Sequence, residues 1–211
     1  MSLRSFGDRA FLLELEQRID PAIVQQARAI ADAWEAQEMG EAIPAYASVV
    51  LGFDPAHVAR REALAAATAL AAARPASLAS VAGSTGSLVE IPTIYDGPDL
   101  ASAAGRSGLS AAQLVDLHAG REYSAFFLGF MPGLAYCGML DPRIDVPRLD
   151  VPRARVPAGS VGIANGQTLV YPFDSPGGWS LIGRTERVMF DPAREPAALI
   201  GPGDRVRFVP R

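Results

Sequence analysis

Three stretches of this 211-residue sequence combine glycine, proline, aromatic and arginine residues in a way that packing alone does not demand. The first runs from His118 to Tyr136 (HAGREYSAFFLGFMPGLAY). Here Gly129, Pro132 and Gly133 permit tight turns, and Phe130 and Tyr136 could wall a pocket with rings. A buried hydrophobic hairpin is the competing reading. The second runs from Pro152 to Thr168 (PRARVPAGSVGIANGQT). Small residues around Gly159 let backbone N–H groups approach a ligand and form an anion-accepting concavity, with Ser160, Gln167 and Thr168 as donors and Arg153 as a planar fork for a carboxylate or phosphate. The same residues would also serve as β-turns between barrel strands carrying solvated arginines. The third, Tyr171 to Thr185 (YPFDSPGGWSLIGRT), holds a Ser-Pro-Gly-Gly turn with Trp179 at the start of the following strand. Trp179 suits either a pocket wall or a core anchor, and Arg184 either an anion clamp or a surface partner for Asp174 or Glu186.

Single residues carry less. His118 ends a predicted helix, where a cation interacts favourably with the helix dipole, so a structural role competes with proton transfer. Ser160 has no sequence-local histidine or aspartate partner and reads as a binding hydroxyl rather than a nucleophile. Cys137 lies in an apolar run (LAYCGML) that predicts a buried, inert thiol, and His57 falls in a predicted helical first turn at the surface.

Composition excludes several chemistries. The sequence has 19 positive side chains, all of them arginine, so a phosphate-binding loop ending in Gly-Lys-Ser/Thr, a lysine Schiff base and a lysine general base are all ruled out. Anions must meet guanidinium groups, backbone N–H groups or a partner chain. A net charge of −4 argues against a nucleic-acid binder. One cysteine forbids an internal disulfide framework, and with two histidines no sequence-local metal site is visible. The segment MSLRSFGDRAFLLEL is broken by Arg4, Asp8, Arg9 and Glu14 and lacks a signal-peptide core. No window reaches the uncharged apolar length of a membrane span, so a cytoplasmic location is expected.

The elements that must position these stretches follow two grammars. Residues 1–87 hold 4 of the 17 prolines and 5 of the 20 glycines, which places a boundary near Gly83 to Ser87. Before it, strand-like Phe11 to Leu15 and Ile43 to Phe53 each precede an Asp-Pro helix start, Asp20-Pro21 and Asp54-Pro55. The first helix is expected to reach about Met39 and Gly40, the second Arg74-Pro75. After it, Ser110 to Ala119 is the one helical pattern. The stretches Val161 to Ile163, Gln167 to Tyr171, Trp179 to Ile182, Arg187 to Phe190 and Arg205 to Val209 are strand-sized. The expectation is an α+β chain: a small α/β sandwich over residues 1–86 and a β-barrel over 87–211.

Taken together the three stretches, with Gly7-Asp8-Arg9-Ala10, Ile43-Pro44-Ala45-Tyr46 and Gly203 to Pro210, resemble the family of 5-oxoprolinase B subunits. That family also carries the names allophanate hydrolase subunit 1, KipI-type kinase inhibitor and carboxyltransferase domain subdomain C and D. The resemblance implies a ferredoxin-like sandwich followed by a cyclophilin-like barrel. It implies a hydrolase that cleaves 5-oxo-L-proline to glutamate with ATP, inactive alone and working with two other proteins of a heteromeric complex, a larger homologous C subunit and a LamB/YcsF-type A subunit. The alternatives it carries are inhibition of a sensor histidine kinase and an allophanate hydrolase or urea amidolyase role. On this reading His118, Ser160, Arg153 and Tyr171 are the catalytic candidates. Phe130, Pro132, Gly133, Tyr136, Gly159, Gln167, Thr168, Trp179 and Arg184 are the substrate-binding candidates. ATP is used by the complex, with its site either on a partner or among Arg153, Arg184 and the loop amides around Gly159 and Ser160, and no metal or biotin site is identifiable in this chain. Leu134 and Cys137 replace the bulkier residues usual in the first motif, Asn165 replaces a common glycine, and the loop Tyr95 to Leu100 is short, all of which bear on pocket shape.

Overall fold

The computed structural model describes residues 1–18, 20–73 and 86–211, and the chain divides into two compact units, Met1–Ser84 and Thr85–Arg211. In the first unit, β1 (Ser2–Ser5), β2 (Ala10–Glu14), β3 (Ala42–Pro44) and β4 (Ser48–Gly52) form an antiparallel sheet in the order β1-β2-β4-β3, with α1 (Pro21–Glu35) and α2 (Arg60–Ala72) beside it. The period-two pattern sends Phe11, Leu13, Val49 and Leu51 to one face, where they bury against Ile30 and Trp34 of α1 and Ala63 and Ala67 of α2. Asp20 caps α1 by accepting from the Ala22 N–H at 2.8 Å, with Pro21 in the first turn.

Local departures from expectation have physical causes. The α1 helix stops at Glu35 because Glu38 turns left-handed at φ 56°. The run Ile43 to Phe53 splits into a hairpin in which Ala45 N–H donates to Ser48 O at 2.8 Å. Asp54-Pro55 makes a turn rather than a helix start: the Asp54 side chain accepts from Ala56 N–H, its carbonyl accepts from Val58 N–H, and α2 begins at Arg60. The expected end of that helix, near Arg74-Pro75, lies outside the described residues. The element order is ββαββα among the described residues. The position beside β2 that a βαββαβ ferredoxin-like unit gives to its last strand is therefore taken by β1.

The second unit is a sheet that closes on itself. It comprises β5 (Leu88–Thr93), β6 (Glu122–Leu128), β7 (Ala135–Gly138), β9 (Ser160–Ala164), β10 (Gln167–Val170), β12 (Ser180–Arg184) and β13 (Arg205–Pro210), in the order β12-β9-β10-β7-β6-β13-β5. All neighbours are antiparallel except β13 and β5. Closure comes just past β5, where Ile94 N–H donates to Arg184 O at 2.9 Å and Arg184 N–H donates back to Ile94 O at 2.8 Å. A separate two-stranded ribbon joins β8 (Arg153–Val156) to β11 (Ser175–Gly177). Two helices, α3 (Leu100–Arg106) and α4 (Ala111–Ala119), add Ala103, Ala104 and Leu114 to the barrel's interior core. Ser110, where the helical pattern begins, caps α4, and with Gln113 it forms a reciprocal capping box. The stretch Arg187 to Phe190 is no strand: Val188 is 62% exposed, and the Arg194 guanidinium holds the segment as a loop through the carbonyls of Val188, Met189 and Ala197. Among the described residues no helix is long and apolar enough to cross a membrane.

The closing seam has no room for side chains. A Cβ at Gly97 would overlap the backbone of Leu181 to Gly183, and one at Gly183 would overlap the Ile94 carbonyl. Gly97→Ala is therefore expected to lower the stability of this unit by about 2 kcal/mol or more in urea denaturation. Gly105→Ala, in an exposed stretch of α3 with open space around it, should instead be neutral or stabilising by up to about 1 kcal/mol.

Candidate functional site

The strands β9, β10 and β12 are buried along almost their whole length because apolar clusters lie against both sides of the barrel wall. Alternation sends Ala135, Cys137, Val161, Ile163, Val170 and Ile182 into the interior cluster. It sends Leu134, Ala164, Leu169, Tyr171 and Leu181 to a second cluster on the outside with Trp179 and Val156, against which Tyr136 also packs.

An open cleft lies on that outer face. Leu134 and Leu169 line it together with the rings of Tyr136, Tyr171 and Trp179, the Pro176-Gly177-Gly178 turn, Phe130 and Arg148. The β6–β7 hairpin supplies Tyr136, which stacks on Phe127 with centroids 4.7 Å apart and lies 6.0 Å from the Trp179 ring. The Tyr171 hydroxyl oxygen accepts from the Trp179 backbone N–H, and burial raises the pKa of its phenol above the ordinary value. Gly177 packs so closely on this hydroxyl that no side chain would fit there. The Arg148 guanidinium lies over the Trp179 ring, 5.9 Å from its centroid, and no carboxylate pairs with it among the described residues. Phe130 is 71% exposed and held at φ 70°, a backbone conformation unfavourable for a residue with a Cβ. One residue before the lining turn, the buried Ser175 hydroxyl has no hydrogen-bond partner among the described residues.

Of the residues nominated from sequence, the structure gathers Phe130, Tyr136, Tyr171 and Trp179 at this cleft. His118 and Thr168 are elsewhere, fully buried inside the barrel. His118 Nδ1 shares a hydrogen bond with the Tyr95 hydroxyl at 2.7 Å, and its Nε2 shares one with the Thr168 hydroxyl at 2.9 Å. In a neutral imidazole one ring nitrogen donates and the other accepts, so both hydroxyls are served without a charge. Burial lowers the His118 pKa to about 3, and no lining residue of the cleft touches it in these hydrogen bonds.

The arginines of the second and third stretches pair with carboxylates of this chain, and the loop amides near Gly159 are bonded within it. Arg153 donates to Asp99 Oδ1 at 2.6 Å and to Trp179 O at 3.3 Å, while Asp99 Oδ2 accepts from Leu181 N–H at 2.7 Å. Arg155 donates from Nε and Nη2 to Asp174, whose other oxygen accepts from Ala158 N–H at 2.8 Å, and these bonds hold the Asp174 carboxyl below its ordinary pKa. Arg184 pairs with Asp96 at 3.0 Å. Gly159, at φ 80°, spends its N–H on Tyr171 O at 2.8 Å, and Ser160 donates its N–H to Pro157 O at 3.2 Å. Gln167 is buried at the start of β10. Gly133, at φ 77°, packs on Phe190 in the β6–β7 turn, with Pro132 just before it.

Arg148 is the charged lining residue that the sequence did not single out. A signal existed: Val146-Pro147-Arg148 and Val151-Pro152-Arg153 repeat the same three residues five positions apart. The second copy looked functional because a glycine-rich loop follows it, and the first copy is the one at the cleft. Among the described residues no group of three or more His, Cys, Asp or Glu side chains could hold a metal ion.

Residues 1–200 match the family described as carboxyltransferase domain, subdomain C and D. The 5-oxoprolinase B subunit of Escherichia coli O157:H7 is 48% identical over 126 residues, covering 58% of this chain and 58% of that protein. The 5-oxoprolinase B subunit of Bacillus subtilis (strain 168) is 42% identical over 125 residues, covering 58% and 52%. The matches thus span little more than half the length of these curated relatives. The crystal structure of TTHA0988 superposes with a TM-score of 0.81 at 36% identity, covering 97% of this chain and 40% of that one. The Kluyveromyces lactis urea amidolyase shares the fold, with a TM-score of 0.74 at 19% identity over 99% of this chain and 15% of that one.

The buried histidine sets a pH dependence. Its folded pKa lies below that of the unfolded chain, so between the two values the unfolded state binds a proton that the native state refuses, and stability falls as pH falls. Denaturation of the wild type at about pH 7 and about pH 5 should differ by about 2 kcal/mol from this residue alone. His118→Gln, which keeps hydrogen-bonding capacity and cannot titrate, should flatten that difference.

Proposed function

The chain belongs to the carboxyltransferase domain, subdomain C and D family, and from that premise we propose that it is the B subunit of an ATP-dependent 5-oxoprolinase. The observation that carries the reading is the 48% identity over 126 residues to a protein named as the B subunit of 5-oxoprolinase. The substrate is 5-oxo-L-proline and the product L-glutamate. The partners are a larger homologous C subunit and a LamB/YcsF-type A subunit, and this chain is inactive without them.

Ring opening of 5-oxoproline is difficult because amide resonance stabilises the carbonyl. Phosphorylating the amide oxygen would turn that carbon into an electrophile that water can attack. The charge of a transferring phosphoryl group needs several converging cations or N–H groups. This chain has no lysine, and Arg153, Arg155 and Arg184 are each neutralised by an aspartate of its own. That distribution supports a division of labour in which the nucleotide is held by a partner protein of the complex. The part left for this chain is positioning: the aromatic walls of the outer cleft hold a small ring and exclude water while the partner supplies the phosphate chemistry.

Coexpression with the C and A subunits should give a complex that forms glutamate from 5-oxo-L-proline only with ATP, and the purified chain alone should form none. A folded, assembled complex with no such activity would overturn the reading.

A further inference from the structure

We propose that the outer cleft is a recognition site for a compact ring carboxylate, with Arg148 taking the carboxylate and Tyr136 and Trp179 walling the ring. The inference deepens the function proposed above and rests on it for the identity of the ring. Among the described residues Arg148 is the one charged residue lining the cleft, and no acidic side chain lines it. Its guanidinium contacts the Trp179 face at 5.9 Å rather than a carboxylate, unlike Arg153, Arg155 and Arg184. A guanidinium stacked on an indole keeps its N–H edge free to donate, because stacking uses the flat face.

The remaining lining is apolar or phenolic. Tyr136 stands 6.0 Å from Trp179, and the Tyr171 hydroxyl, its oxygen engaged by the Trp179 N–H, keeps a proton to donate to a ligand oxygen. The exposed Phe130 ring, held where the backbone favours glycine, extends this apolar surface to the rim without any core contact that would explain its strain. The two halves of the cleft demand two properties in one molecule. An anion without an apolar body meets only an exposed cation, screened by salt, and a neutral ring leaves the guanidinium unmatched. A single planar fork suits a singly charged carboxylate, whereas a doubly charged phosphate would call for further donors.

The two tryptophans make the test direct, since the Trp34 indole is bonded to Gly52 O in the first unit and serves as an internal reference. The full chain, labelled with nitrogen-15, is titrated with 5-oxo-L-proline, with pyrrolidin-2-one and with inorganic phosphate, following both indole N–H signals. The expected result is movement of the Trp179 signal alone with 5-oxo-L-proline, at least about tenfold weaker binding of pyrrolidin-2-one, and no response to phosphate. Arg148→Gln should weaken 5-oxo-L-proline binding about tenfold or more with the spectrum otherwise unchanged, and Arg143→Gln, which removes an exposed guanidinium outside the cleft, should not. Equal binding of the two rings, unchanged affinity in Arg148→Gln, saturation by phosphate, or a stationary Trp179 signal would each overturn the proposal. Arg148-dependent binding in a chain whose complex forms no glutamate would sustain the site and remove the enzyme reading. Glutamate formation without Arg148-dependent binding would do the reverse.

Discussion

Two backbone hydrogen bonds between Ile94 and Arg184 turn an open seven-stranded sheet into a barrel, and closure is what creates an inside and an outside. The seam works because Gly97 and Gly183 let two backbones approach where side chains would collide. It is reinforced by Asp99, which accepts from Leu181 N–H on one strand of the seam while pairing with Arg153. Once the sheet is closed, each residue along β7, β9, β10 and β12 has only two destinations. The inside receives Cys137, Thr168 and Val170, and with them the buried His118; the outside receives Leu134, Tyr136, Leu169 and Tyr171. Two polar systems that lie close together in sequence are thereby separated by the barrel wall.

The same arrangement explains the use of arginine. The partly buried Arg153 guanidinium needs a partner and takes Asp99, and the exposed Arg155 and Arg184 pair with aspartates of the same chain, Asp174 and Asp96. The loop amide of Ala158, suited to an external anion, is satisfied by the Asp174 carboxylate. Internal neutralisation gives these loops structure and removes them from the inventory of ligand-binding charge. Arg148, matched with an aromatic face instead, is what remains available at the cleft.

Much of the architecture was legible locally. The Asp20-Pro21 and Ser110 helix starts, the strand-sized stretches Gln167 to Tyr171 and Arg205 to Val209, and the shift in proline and glycine density all reflect short-range physics that a single chain segment contains. Short-range signals also misled where competing local structures were close in energy. Asp54-Pro55 forms a turn instead of a helix start, and Arg187 to Phe190 becomes a loop because Arg194 ties up the carbonyls beside it. The polar β1 and the short α3 carry too little pattern to be seen without the sheet and core that hold them.

Sequence by itself determined the inventory: no lysine, three stretches rich in turn and aromatic residues, two domain grammars and enough of a family's pattern to place the chain in it. It also put Phe130, Tyr136 and Trp179 forward as possible pocket walls and Tyr171 as a catalytic candidate, since ring types declare themselves without a fold. Tertiary structure alone decided which of the two Val-Pro-Arg copies faces the cleft and which is neutralised. The deciding partner, Asp99, is 54 residues from Arg153 along the chain, and no local rule reports a contact of that range. It likewise decided that His118 and Thr168, 50 residues apart, meet inside the wall rather than at the cleft outside it. A strand's alternation says which residues share a face, but only closure of the sheet says which face is the interior.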